Sequence, residues 1–133
     1  MDQYKVILIY NVTLGGESMN THEKGKIGED QAAAYLLDHG YTIQTRNFRT
    51  RYGEIDIVAI APDGTIVFVE VKSANTTSCG NPLYKVTPAK QRTIAGMAKR
   101  YMYDRKLIGR ACRMDVIGIY LGKIDHIPNA YWV

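Results

Sequence analysis

The chain has 133 residues, is 46% hydrophobic and carries a formal net charge of +4, a length and balance that suit one domain with a real buried core. No stretch approaches the roughly 20 apolar residues that a bilayer-spanning helix needs, and the apolar run Lys5 to Tyr10 is too short for a secretory core and lacks a small-residue cleavage site after it. The two cysteines, Cys79 and Cys112, have no metal-type spacing and read as free thiols, so a reduced cytoplasmic setting is expected.

In chain order, Tyr4 to Tyr10 reads as a short strand and Asn11 to Met19 as a polar, glycine-bearing link. Residues 1–18 are expected to be an extension outside the core, with Met19 an alternative start, and residues 19–133 a single domain. A helix is expected from about Thr21 to Asp38, with Asn20 as its N-cap, Glu23 three residues on, and Gly40 at its end. Tyr41 to Thr50 reads as a strand. Glu54 to Ala61 and Thr65 to Lys72 are largely apolar and β-branched, and Pro62-Asp63-Gly64 between them predicts a hairpin. Ser73 to Val86 is a loop rich in Ser, Thr, Asn and Gly. Thr87 caps, and Pro88 opens, a helix to about Arg105 with Ile94, Met97, Ala98 and Tyr101 on one stripe. Arg113 to Leu121 is a further strand, and Lys123 to Val133 an edge strand interrupted by Pro128. There is no internal repeat and no low-complexity tract. Helix, three strands, helix, strand, with the strands apolar on both faces, predicts an α/β fold: a central mixed β-sheet flanked by helices.

The ends of the hairpin hold its chemistry. Side chains alternate along a strand, so Glu54 and Asp56 share one face, as do Glu70 and Lys72. With a three-residue loop, Asp56 stands opposite Glu70 and Glu54 opposite Lys72, and the two faces coincide. Opposed β-carbons lie about 5 Å apart, where two like charges repel by roughly 3 kcal/mol at an effective dielectric of 20. A shared proton, a neighbouring cation or a divalent metal would offset this, and Lys72 brings one positive charge against three carboxylates. An all-oxygen site of carboxylates, a backbone carbonyl and water suits Mg²⁺ or Mn²⁺. The competing explanation is a pair of strand ends whose charges are merely solvated.

Charge is unevenly spread. Residues 72–113 contain ten Lys or Arg against the single acid Asp104, a local excess of +9 that leaves −5 for the remainder. An acidic site beside a basic half suits a polyanionic substrate, while an ordinary solvated basic helix accounts for the charge alone.

Several motifs resemble one family: Gly25-Lys26-Ile27-Gly28-Glu29, Gly40-Tyr41, Arg46-Asn47-Phe48-Arg49, Gly53-Glu54-Ile55-Asp56, Val67-Phe68-Val69-Glu70-Val71-Lys72 and Arg113-Met114-Asp115-Val116-Ile117. In that order they look like the YraN-like family of bacterial proteins, which belongs to the restriction-endonuclease-like, or PD-(D/E)xK, nuclease superfamily. The resemblance runs from about Gly25 to Tyr120 and implies an αβββαβ core. It implies that Asp56 and Glu70, with the backbone carbonyl of Val71, hold one or two Mg²⁺ ions. Such ions polarise the scissile phosphate and stabilise the departing oxyanion, and Lys72 would orient the attacking water or stabilise developing charge. It also implies a helix glutamate near the metal. Glu29 fits, four residues before Ala33 and seven before Leu36, with Gly25 and Gly28 permitting close approach; a first-turn acid complementing the helix dipole is the alternative. Glu54 either joins the site or pairs with Lys72 across the strands. Ser73 departs from the pattern, which usually has a basic residue there.

Arg46, Phe48, Arg49, Arg51 and Tyr52 form a basic and aromatic cluster able to grip phosphates and stack on an exposed base. Lys90 and Gln91 open the second helix, where the resemblance implies an auxiliary polar residue, although surface solvation is the more ordinary explanation for each taken alone. The histidines His22, His39 and His126 show no ligand spacing. The expectation is a metal-dependent nuclease acting on DNA rather than RNA, on a branched or processed substrate, as a monomer or homodimer. The alternatives are a nucleic-acid-binding module of the same fold without catalysis, and a protein-interaction adaptor.

Overall fold

The computed structural model describes residues 21–74, 86–120 and 122–131. The expected strand at Tyr4 to Tyr10, the division at Met19, the capping by Asn20 and most of the Ser73 to Val86 loop lie outside the described residues. Helix α1 spans Thr21–Asp38, strands β1 to β3 span Thr42–Thr50, Gly53–Ile60 and Ile66–Ala74, helix α2 spans Pro88–Asp104, and β4 and β5 span Cys112–Tyr120 and Lys123–Ile127. The expected α/β order αβββαβ is thus observed, with β5 added at its end.

Local chemistry accounts for most boundaries. Gly40 adopts φ +84° just past α1, and the Tyr41 amide returns to Leu36 O at 3.0 Å, closing the last turn as a left-handed residue allows. Thr87 caps α2 through Oγ1, which accepts from the Lys90 amide at 3.1 Å, and Pro88 fills the first helical position. Strand β5 stops at Ile127, one residue before Pro128, which has no amide to donate to a ladder.

The sheet order is β1-β2-β3-β4-β5, with β3 and β4 parallel and the other neighbours antiparallel. The parallel pair requires a crossover, which contains α2. Helix α1 covers one face, where Ala32, Ala33 and Leu36 meet Ile57, Ala59, Val67, Val69, Ile117 and Ile119. Helix α2 covers the other, where Ile94, Met97, Ala98, Tyr101 and Met102 meet Ile55, Val58, Ile66 and Phe68. Each large side chain so buried contributes about 2–3 kcal/mol, and the two layers hold β2 and β3 rigidly between them. No helix among the described residues is long and apolar enough to cross a membrane.

Candidate metal centre

The hairpin register is the one the turn dictates. Gly64 N donates to Ala61 O and Ala61 N to Thr65 O, each at 2.9 Å, and the ladder runs from Ile60↔Ile66 to Ile57↔Val69. The next pair in that register is Asp56 with Glu70. There the strands part: the Val71 amide donates to Asp56 Oδ2 at 2.7 Å, so a carboxylate from β2 fills the position a backbone carbonyl would occupy. Alternation breaks at the same place. Ile55 lies in the α2 layer and Ile57 in the α1 layer, although two residues of a regular strand share a face.

The break has a counterpart on β1. The pairs Arg46↔Ile57 and Phe48↔Ile55 bracket Asn47 opposite Asp56, and Asn47 adopts φ +56°. Asparagine tolerates this left-handed conformation better than most residues because its short polar side chain bonds locally. Its amide, with the nitrogen facing the acids, donates to Glu29 Oε2 at 3.0 Å and to Glu54 Oε1 at 2.5 Å. Asn47 therefore ties a helix carboxylate to a strand carboxylate. Glu29 reaches this point because it shares the α1 stripe of Ala32, Ala33 and Leu36, and because Gly28 brings the helix against Ser73 of β3, whose Oγ occupies the place of a Gly28 β-carbon. Gly25, by contrast, faces open space.

Glu29, Glu54 and Asp56 each direct a carboxylate oxygen to a common point, all within 4.8 Å of one another. The Asp56 carboxyl is pushed up to about 7 from 3.8, first by burial and then by the Glu70 charge; the Val71 amide opposes this, and Glu29 and Glu54 add to it. Glu29 is also raised, by burial and by Glu54, against the pull of Arg46 and of a hydrogen bond with Asp56. Both shifts have the same cause, carboxylates crowded in a partly buried place where each disfavours the charge of the next. Three oxygen donors of this kind fit Mg²⁺ or Mn²⁺.

Glu70 does not join these three. It is buried, and its Oε1 lies 3.4 Å from Lys72 Nζ and 3.7 Å from Lys90 Nζ. Lys90 belongs to α2, and Ile66 and Phe68, the preceding residues of the same alternation, lie in the α2 layer; Val71 instead meets the α1 layer. Asp56 thus stands in the fork between β2 and β3, with Glu29 and Glu54 on one side and Glu70, Lys72 and Lys90 on the other. Nearby Tyr131 has its phenol raised, by burial and then by Glu70. Two expected pairings are replaced. Glu54 does not pair with Lys72; its Oε2 accepts from Arg49 Nε at 3.2 Å. The faces of Asp56 and Glu70 do not simply coincide, because the break re-aims β2.

The predicted basic residues surround this fork in different ways. Arg46 pairs with Asp30 at 2.6 Å and Arg49 with Glu54, both on the rim of the cleft above Glu29 and Glu54. Arg51 donates to the Tyr52 hydroxyl at 2.6 Å and does not line the cleft of Glu29 and Glu54. Gln91 donates to Val86 O at 3.0 Å and so braces the start of α2, while Phe48 packs against the core and meets Tyr101 edge-on.

Sequence reasoning passed over two features. Asn47 was visible within the Arg46-Asn47-Phe48-Arg49 motif, but its left-handed backbone was not. The second is a buried network around Asp115: His126 Nε2 lies at 2.7 Å, Arg113 donates through Nε at 3.0 Å and through a terminal nitrogen at 3.3 Å, and the Asn129 amide donates at 2.9 Å. Arg113 also reaches the Tyr41 hydroxyl, and His126 Nδ1 the Tyr35 hydroxyl. Burial alone would raise the Asp115 carboxyl, but these donors prevail and hold it below the usual carboxylate range. The network joins β4, β5 and α1 on the side of the sheet that carries Glu29.

Fold and site define an α/β protein of αβββαβ order, with an acid cluster at the fork of its central hairpin. Residues 28–119 match the model of the uncharacterised protein family UPF0102, and the chain belongs to that family, as its motifs foretold. A UPF0102 protein of Bifidobacterium longum subsp. infantis is 41% identical over 124 residues, covering 89% of this chain and all of the relative. One from Persephonella marina is 46% identical over 108 residues, covering 81% and 92%, and one from Clostridioides difficile is 43% identical over 115 residues, covering 85% and 100%. Among solved structures, a repair endonuclease from Pyrococcus abyssi aligns with a TM-score of 0.34 and 16% identity, over 80% of this chain and 38% of that one. Pyrococcus furiosus SfsA in complex with Ca²⁺ aligns with a TM-score of 0.32 and 18% identity, over 82% and 63%.

Proposed function

We propose that this protein is a Mg²⁺- or Mn²⁺-dependent nuclease that hydrolyses phosphodiester bonds in DNA, with branched or processed DNA as its substrate. The observation that carries the reading is the convergence of Glu29, Glu54 and Asp56 at a strand fork with Lys72 alongside. Asp56 and the two glutamates would hold the ion, with Glu70 and the Val71 carbonyl at the neighbouring position. A bound ion would neutralise the acid cluster, polarise the scissile phosphate and favour departure of the oxyanion. Lys72 and Lys90 supply positive charge beside the fork for a phosphate oxygen. Arg46 and Arg49 on the rim exchange their exposed carboxylate partners for backbone phosphates, since such surface pairs hold little energy. Asn47 orients Glu29 and Glu54 and keeps them together.

Purified protein incubated with plasmid, branched and single-stranded DNA in Mg²⁺ or Mn²⁺ should cut at least one of them, and the Asp56→Asn variant should not. Equal cutting by that variant refutes the reading. One observation favours a second reading, a nucleic-acid-binding module without catalysis: Glu70 is buried and engaged by two lysines rather than grouped with the other acids. Salt-sensitive DNA binding with no cutting under any divalent ion would select it.

A further inference from the structure

We propose that the cleft between the β1–β2 turn and α2 is a subsite for an unpaired nucleotide of the DNA strand, adjoining the acid cluster. This rests on the nucleic-acid reading above and narrows its substrate class to DNA with a single-stranded element.

The cleft has a volume of about 620 Å³, and Arg51, Arg92 and Arg100 line it with no carboxylate among its walls. That volume falls in the range of sites that hold a small organic ligand. Tyr52 also lines it and is 69% exposed, unusual for so large a ring. The Arg51 guanidinium lies 4.8 Å from the Tyr52 ring centroid and its nitrogen bonds the hydroxyl, so the ring is held upright with one face covered. A base stacks on the remaining face, and stacking on an aromatic side chain needs an unpaired base. Duplex DNA presents no such base.

The phosphate side of the cleft is a row on α2. Arg92, Gly96 and Arg100 recur every four residues and so lie on one line of the helix. Arg92 and Arg100 are about 12 Å apart along the axis, far enough for each to meet a different phosphate of one strand. Gly96 between them meets no other group within reach of a β-carbon, which leaves the floor of the row open. Arg100 pairs with Asp104 at 3.0 Å, but both side chains are exposed, and a phosphate competes readily with so weak a partner.

Register links cleft to acids. Thr50 pairs with Gly53 and Arg49 with Glu54, so the cleft begins one residue pair beyond the acid cluster, on the α2 side of the hairpin end whose α1 side carries Glu29 and Glu54. At about 3.3 Å per residue, Tyr52 stands roughly 13 Å along the chain from Asp56. A strand whose phosphate lies at the acids would pass its flanking nucleotides around the β1–β2 turn to Tyr52 and the arginine row.

The test is fluorescence anisotropy of labelled single-stranded and blunt duplex oligonucleotides, run in chelator so that binding is read apart from cleavage. Tyr52→Ala should weaken single-strand binding about tenfold or more while changing duplex binding less than about threefold, and Tyr52→Phe, which keeps the ring but loses the Arg51 bond to the hydroxyl, should lose less than about threefold. The Arg92→Ala/Arg100→Ala double variant should lower the slope of log affinity against log salt by about 1.4 on single strands. All three positions lie at the surface, and a melting curve confirms that the variants stay folded. The proposal is overturned if Tyr52→Ala binds single strands as wild type, or loses single-strand and duplex binding equally. If the variants behave as expected while no DNA is ever cut, the subsite stands and the catalytic reading alone fails.

Discussion

Replacing Asp56 by Asn should make the metal-free protein more stable while destroying the proposed metal site. Asp56 sits at about 7 in the folded protein against 3.8 when exposed, so between those values the folded state binds the extra proton. Stability from this group is therefore fully present below about pH 4 and is lost as pH rises through about 7. At 1.36 kcal/mol per pH unit, the roughly three-unit gap amounts to about 4 kcal/mol. Asp56 is only half-buried and its charge acts on Glu29, Glu54 and Glu70 together, so solvent and relaxation reduce this to about 2 kcal/mol. The Asn carbonyl still accepts the Val71 amide, and the amide group carries no charge to repel Glu29, Glu54 and Glu70. In chelator at about pH 8, Asp56→Asn should melt about 6 °C above wild type, at roughly 3 °C per kcal/mol for a domain of this size. The difference should close as pH falls toward about 4. Adding Mn²⁺ to about a hundred times its dissociation constant should stabilise wild type by about 3 kcal/mol and leave the variant unmoved. A variant that melts at or below wild type at pH 8 refutes the electrostatic account. A pH-independent difference would do the same.

Lys72→Ala should retain Mn²⁺ binding by calorimetry but lower the cleavage rate by about a hundredfold or more, the usual effect of removing a charge-stabilising group; loss of metal binding instead would place Lys72 in structure rather than chemistry. Asn47→Gly keeps the left-handed backbone and should fold within about 1 kcal/mol of wild type while weakening Mn²⁺ binding, whereas Asn47→Ala should lose about a further 1 kcal/mol in urea titration, because a β-carbon disfavours φ near +56°. Asp115→Ala should cost about 3–5 kcal/mol, since it strands Arg113 and His126 in the interior. Because the Asp115 carboxyl is held low, its stabilisation is present above about pH 4 and is lost as pH falls further, so acid unfolding of wild type should show a component that this variant lacks.

Local rules decided much of this protein from its sequence. Gly40 ends α1 and Thr87-Pro88 opens α2 because capping depends on a few neighbouring residues. Pro62-Asp63-Gly64 sets a three-residue turn, and the turn sets the hairpin register as far as Ile57↔Val69. That Glu29 faces the sheet was legible because a helix stripe is periodic and its neighbours Ala32, Ala33 and Leu36 announce which face is buried. Alternation failed where the ladder stops. It carried Asp56 and Glu70 onto one face, but the Asp56 carboxylate takes the Val71 amide and the left-handed Asn47 opposite re-aims the strand. Only tertiary packing decided that Glu29 from α1 completes the acid group while Glu70 turns to Lys90 of α2, and only it joined Asp115 to His126. Those contacts span sequence separations over which no propensity or period reaches. They follow from how two helices press a sheet from opposite faces and where its strands are forced apart.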